Sequence, residues 1–290
     1  MLHTRTGAFP IGFRRGWSAW QKDLPGLVAW AKENGLGVVD LGGDGDTAGA
    51  AVTEAGLKIG SVDLRAWSGL ITADDAKREA AIAENNAYIA AAAAVGGKNF
   101  FTVLLPDDVV RSRRENLALA IEGLSAIVPA LEAVDGHVVI EGWPGPGALA
   151  CTPEGYRAVL DAIPSKAIGI NYDPSHLIRM GIDPIRFLEE FKDRVFHVHG
   201  KDTEIFNEAV YEYGTEQEPT LFGGRGFGGP TWRYTIPGHG EMRWTRAFEI
   251  LAANGYQGAV SIELEDLHFN TDEAGEKAGL LAGAHFLAAA

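Results

Sequence analysis

Cysteine is almost absent. Cys151 is the only one in 290 residues, so no intrachain disulfide can form and a thiolate-only metal cage is excluded, which suits a reducing cytoplasm. Basic residues are scarce too: 25 against 39 acidic ones leave a formal charge of −14, a poor match to nucleic acid unless the cations cluster on one face. The one short basic run, Arg111, Arg113 and Arg114, stands at a helix start and reads as a solvated face rather than a phosphate grip. Long apolar runs are missing, since the alanine-rich stretch 89–95 is too short to span a bilayer and no sustained apolar stretch separates Arg5 from Arg14 and Arg15. The expectation is an unprocessed cytoplasmic protein with neither nucleic acid nor membrane as partner. No G-x-G-x-x-G or G-x-x-x-x-G-K-[ST] follows a strand-like run, which argues against dinucleotide and P-loop sites.

What is present is alternation. Short β-branched or aromatic runs at 8–13, 37–41, 58–64, 99–105, 137–141, 167–172, 194–199 and 259–263 alternate with helical patterns at 18–33, 46–55, 73–94, 112–132, 153–163, 184–191, 245–254 and 272–287. Thr152-Pro153 marks a helix start and Asn254-Gly255 a helix stop. Eight strand–helix units in a chain of this length predict an α/β fold, a single-domain (β/α)₈ TIM barrel over residues 1–290. Residues 200–243, after the seventh strand, show no clear periodicity. They hold Gly223-Gly224-Arg225-Gly226 and Trp232-Arg233-Tyr234, and are read as a long loop covering the catalytic mouth.

Catalytic groups in such barrels stand at the carboxyl ends of strands. Four consecutive strands of this chain end in Glu141, Asp173, His199 and Glu263. The two-residue period of a strand puts Asn171 with Asp173, His197 with His199, and Ser261 with Glu263 on the inner face, leaving Ile170, Val198 and Ile262 outside. Three carboxylates and an imidazole meeting in a low-dielectric mouth repel one another unless a cation joins them. The oxygen and nitrogen donors suit one divalent ion, Mn²⁺ first, with Mg²⁺, Co²⁺ or Zn²⁺ as alternatives. His197, one layer deeper, is expected to brace a ligand. His176, in Asp-Pro-Ser-His, is expected on the loop after the sixth strand, near the metal and bonded to substrate.

The segments Ile140-Glu141-Gly142, Asn171-Tyr172-Asp173-Pro174-Ser175-His176, His197-Val198-His199-Gly200-Lys201-Asp202, Ile236-Pro237-Gly238-His239-Gly240 and Ser261-Ile262-Glu263, in that order, resemble the sugar phosphate isomerase/epimerase family. These are xylose isomerase-like TIM barrels that include ketose 3-epimerases and inosose dehydratases, and the likeness covers essentially the whole chain. The resemblance implies that Glu141, Asp173, His199 and Glu263 bind one metal ion, while His176 and Lys201 touch the substrate. It also implies that Glu141 and Glu263 move a proton at the carbon beside a metal-coordinated carbonyl, through an enediolate, with His176 assisting.

The long loop and Trp232-Arg233-Tyr234 depart from compact ketose epimerases and are similar to barrels acting on 3-keto glycosides. Two readings follow: an isomerase or epimerase of a keto sugar, and a lyase that cleaves a 3-keto glycoside by elimination or dehydrates an inosose. Trp17, Trp67, Trp143 and Trp232 near the strand tops would suit stacking on a sugar or aglycone, and Arg233 could contact an anionic group. A nuclease of the related abasic-site type would need more histidines and a basic groove, and a non-enzymatic binding module would need the four inward groups to bind no metal. The expected partner is a small sugar or glycoside, and the sequence is compatible with a homo-oligomer or a small accessory subunit.

Overall fold

Runs such as Val138-Val139-Ile140 have the branched side chains that pack well on both faces of a covered parallel strand, while the patterns between them bury one side only. In a computed structural model, which describes residues 1–290, these runs become β1 (Ile11–Arg14), β2 (Val38–Leu41), β3 (Lys58–Asp63), β4 (Asn99–Val103), β5 (His137–Glu141), β6 (Ile168–Tyr172), β7 (Val195–Gly200) and β10 (Val260–Ile262). Each pairs in parallel with its neighbour, and β10 closes the barrel on β1 with Ile11 opposite Val260. Two steps carry a bulge. The register slips between Val39 and Leu41 on β2 and between Ile170 and Asn171 on β6.

Several boundaries move from their expected places. The first strand begins at Ile11 because Gly7 and Ala8 adopt positive φ (83° and 53°) in a turn closed by a bridge from His3 to Pro10. The helix expected over 18–33 is two, Ala19–Lys22 and Leu24–Glu33, because Pro25 fits the first turn of a helix and not its interior. Helix Arg113–Ala133 is long and apolar enough to cross a membrane by length and composition. Here it is a barrel helix, with Ala120, Leu124, Ile127 and Leu131 buried in the shared core.

The segment after β7 is ordered into an antiparallel hairpin, β8 (Asp202–Ile205) against β9 (Trp232–Thr235), with helix Asn207–Tyr213 following β8. The long loop expected after the seventh strand is thus built around a hairpin; pairing between residues some thirty positions apart leaves no local periodicity to read. A buried carboxylate ties the base. Asp202 accepts hydrogen bonds from Thr203 N (2.8 Å), Met242 N (3.0 Å), Gly238 N (3.2 Å) and Trp244 Nε1 (3.2 Å). Asp202→Ala leaves those buried donors without an acceptor and is expected to lower stability by about 3 kcal/mol or more. An unchanged urea midpoint would show that the knot contributes nothing.

Candidate metal and sugar site

The barrel's open end collects the charged groups. Glu141 closes β5 and is 4 % exposed; its Oε2 accepts from Asn171 Nδ2 at 2.7 Å, and its Oε1 lies 3.2 Å from His176 Nε2. Asp173 follows β6 and caps the helix Pro174–Arg179, its Oδ1 accepting from Ser175 N (2.9 Å) and Ser175 Oγ (2.6 Å). That cap aims Oδ2 at the centre, 3.4 Å from His176 Nε2 and 3.2 Å from Lys201 Nζ. Glu263 follows β10; it pairs with Lys201 through Oε2 and with Arg14 Nε through Oε1 at 3.3 Å.

His199 is fully buried on β7. Its Nδ1 lies 2.7 Å from Glu141 Oε2 and 3.5 Å from Glu263 Oε2, while its Nε2 lies 3.4 Å from Asp40 Oδ2. One ring nitrogen thus faces the carboxylates and the other a fixed acidic brace. Asp40 on β2 was not foreseen. It is completely buried, takes His197 Nε2 at 2.7 Å and the Ser261 hydroxyl at 2.8 Å, and so locks the layer beneath His199. The neighbouring strand β3 must be bare at Gly60 to admit this pair: a Cβ there would collide with Asp40 Oδ1 and come within 2.8 Å of His197 Cε1.

Two groups of ligating atoms result. Atoms from Glu141, Asp173, His176 and Glu263 lie within 4.8 Å of one another, and atoms from Asp40, His197 and His199 do so separately. The tightest carboxylate cluster therefore includes His176, on a short helix and not the expected loop, while His199 touches two of the three carboxylates from the layer below. Residues able to hold a cation are present, and the donor set fits one. Asp173 Oδ2 and both ring nitrogens of His199 are buried without a well-aligned hydrogen bond, though oppositely charged groups stand within 3.4 Å of each, an arrangement that a cation replacing the imidazole proton would satisfy.

Electrostatics point the same way. Burial and Glu263 push the Glu141 carboxyl up, yet His199 and His176 outweigh them and hold it below the ordinary carboxylate range. Glu263 is likewise held well down against its burial, chiefly by Lys201 and His199. Burial lowers the His199 imidazole, but Glu263 and Glu141 raise it well above its usual value, so a proton there balances charge in the absence of a metal. Lys201, 1 % exposed, reaches Glu265 at 2.9 Å as well as Asp173 and Glu263, so its ammonium lies among the acids.

The remaining candidates separate. Trp232 and Tyr234 on β9 reach the site, with Arg179 stacked over Trp232 at 4.4 Å. Trp143 is half-buried just past Glu141, and Trp67 is 39 % exposed in the turn after β3. Arg233 has its guanidinium taken up by Glu204 (2.7 Å) and Asp266 (3.3 Å), which makes it a brace of the hairpin. A cavity of about 360 Å³ opens beside Glu263, walled by Arg14, Glu265, Trp17 and Phe227. Trp17 is 78 % exposed and Phe227 41 %, and Phe227 holds a positive φ of 53°, rare for an aromatic residue. Arg14 was missed because the first strand was drawn to stop one residue short. It forms a paired contact with Asp63 (2.9 and 3.0 Å) and lies 4.4 Å over Phe101. A larger cavity of about 460 Å³, at the opposite end near His137 and Phe196, is remote from these groups.

Among curated proteins, the uncharacterized protein YfiH of Bacillus subtilis (strain 168) is 36 % identical over 123 residues, 41 % of this chain and 37 % of that protein. Inosose dehydratase of Clostridium perfringens (strain ATCC 13124) is 29 % identical over 119 residues, 41 % and 38 % of the two chains. The chain thus matches less than half the length of either relative. Solved structures align over nearly the whole chain. The apo 3-keto-D-glucoside 4-epimerase of E. coli has a TM-score of 0.68 at 18 % identity, covering 96 % of this chain and 99 % of that one. D-psicose 3-epimerase of Clostridium cellulolyticum H10 has 0.69 at 14 %, covering 97 % and 100 %. At such identities the likeness is one of fold. A family model described as xylose isomerase-like TIM barrel matches residues 22–289, and with the closed eight-stranded barrel in place the chain belongs to that family.

Proposed function

We propose that this protein is a divalent-metal-dependent isomerase or epimerase of a keto sugar, with Glu141, Asp173, His199 and Glu263 as the residues that would hold the ion. The observation that carries this reading is the convergence of Glu141 and Glu263, at the ends of β5 and β10, with Asp173 beside the buried His199 imidazole. When bound, the cation would supply Lewis-acid polarisation of a carbonyl and offset negative charge developing on its oxygen. Glu141 and Glu263 are held ionised by their surroundings, so each can accept a proton from carbon, and the conjugate acid of one can return it. Lys201 and His176 contribute hydrogen-bond donors beside them. The fold-level likeness to ketose epimerases supports a sugar substrate, and Trp17 with Phe227 beside the cavity supports a planar apolar face on it.

A second reading, a lyase acting on an inosose or a 3-keto glycoside, is favoured by the local identity to inosose dehydratase and shares the first proton abstraction. The test is incubation of protein loaded with Mn²⁺ in D₂O with a keto sugar, an inosose and a 3-keto glycoside in parallel. Deuterium at the carbon beside the carbonyl together with an epimeric product supports the first reading. Loss of water or release of an aglycone supports the second. Absence of exchange and product with all three classes would overturn both. The partner proposed is accordingly a small sugar or glycoside, and the unpaired, buried Cys151 suits the reducing cytoplasm we propose for it.

A further inference from the structure

One hydroxyl of the hairpin meets the barrel histidine at the site. Tyr234, on β9 and 4 % exposed, places its OH 2.6 Å from Arg179 Nη1 and 2.7 Å from His176 Nδ1. His176 and Arg179 stand three residues apart on helix Pro174–Arg179, so both face the same side of it. Arg179 is itself anchored, donating to Pro144 O at 3.2 Å and stacking over Trp232.

Counting hydrogens decides the direction of the chain. A guanidinium only donates, so Tyr234 Oη accepts from Arg179, and the hydroxyl's own hydrogen needs an acceptor. His176 Nδ1 is the partner within reach. Were Nδ1 to carry a hydrogen, two hydrogens would meet on that line and the buried hydroxyl would lose its acceptor. The far side of the ring agrees, because Nε2 looks at two acceptors, Glu141 Oε1 at 3.2 Å and Asp173 Oδ2 at 3.4 Å. We infer that Arg179 and Tyr234 are positioning residues that fix His176 with its hydrogen on Nε2, so that the ring presents a donor to the point where the carboxylates meet. The insertion after β7 thereby determines which nitrogen of a barrel histidine is the donor. That this donor serves a substrate oxygen rests on the function proposed above; the placement of the hydrogen does not.

The experiment is proton–nitrogen NMR of metal-free protein labelled with ¹⁵N-histidine, the His176 signals assigned by their loss in His176→Asn. Wild-type protein is expected to show His176 with its hydrogen on Nε2, and a hydrogen on Nδ1 overturns the proposal. Tyr234→Phe removes the donor to the Nδ1 lone pair and is expected to move the Nδ1 signal downfield; unchanged nitrogen shifts in that variant overturn it equally. If Tyr234→Phe does not fold, Arg179→Met, which frees the hydroxyl to accept from the ring, is expected to move the same signal. With a substrate that passes the exchange test, Tyr234→Phe is expected to lower kcat about tenfold at unchanged Mn²⁺ affinity. Because the spectra need neither metal nor substrate, failure of the proposed function leaves this result standing.

Discussion

A Glu263→Gln variant is expected to fold, to take up metal at saturating concentration, and to lose turnover by about 10³-fold. The amide has the same shape and keeps an oxygen for Lys201 and for a cation, giving up only the contact of Oε1 with Arg14, which stays paired with Asp63. What disappears is a group able to accept a proton from carbon, which positioned carboxylates normally contribute at about 10²–10⁴-fold. Turnover is to be measured at several metal concentrations, with thermal unfolding as the control for folding. A variant that keeps more than about a tenth of wild-type kcat with metal bound would remove Glu263 from the chemistry.

Metal affinity is expected to fall steeply as pH falls. Against its burial, His199 is raised well above the ordinary histidine value by Glu263 and Glu141, so in metal-free protein Nδ1 holds a proton at neutral pH. A cation at that nitrogen must displace the proton. Below the raised pKa each pH unit adds a tenfold excess of competitor, so affinity drops by about tenfold per unit for each proton released. Between pH 7 and pH 5 the expected loss is about 100-fold, and loading should release about one proton per protein near neutrality. His199→Gln removes that proton and should flatten the slope while weakening binding. Calorimetry in buffers of different ionisation enthalpy reads both quantities. A flat affinity from pH 5 to 8 in the wild type would mean that the cation does not use His199.

Much of the barrel was legible because a buried parallel strand needs a branched apolar run, and β5 was readable to the residue from His137-Val138-Val139-Ile140-Glu141. Glu141, Asp173, His199 and Glu263 stood out for the same reason, as charged groups ending apolar runs. Asp40 has the same form in Val38-Val39-Asp40-Leu41, yet the short strand and its bulge hid which face the carboxylate takes. The helix carrying His176 announces itself through Asp173-Pro174, the same cap-and-proline pair as Thr152-Pro153, and was readable though read as loop. Tyr234 was beyond reach. Its position depends on β8 pairing with β9, a contact between distant residues, and no spacing in the sequence says that Lys201 points into the acids.

The hairpin base also uncouples the rim from the barrel. Since β8 and β9 already bring residues 205 and 232 face to face, the chain between them closes a loop whose ends are fixed regardless of its content. Doubling the length of such a loop costs only about 0.6 kcal/mol in closure entropy. Insertions among residues 207–226, ahead of Phe227, whose carbonyl accepts from Tyr234 N at 2.8 Å, would thus cost little and reshape what the mouth admits while the acids and histidines below keep their places.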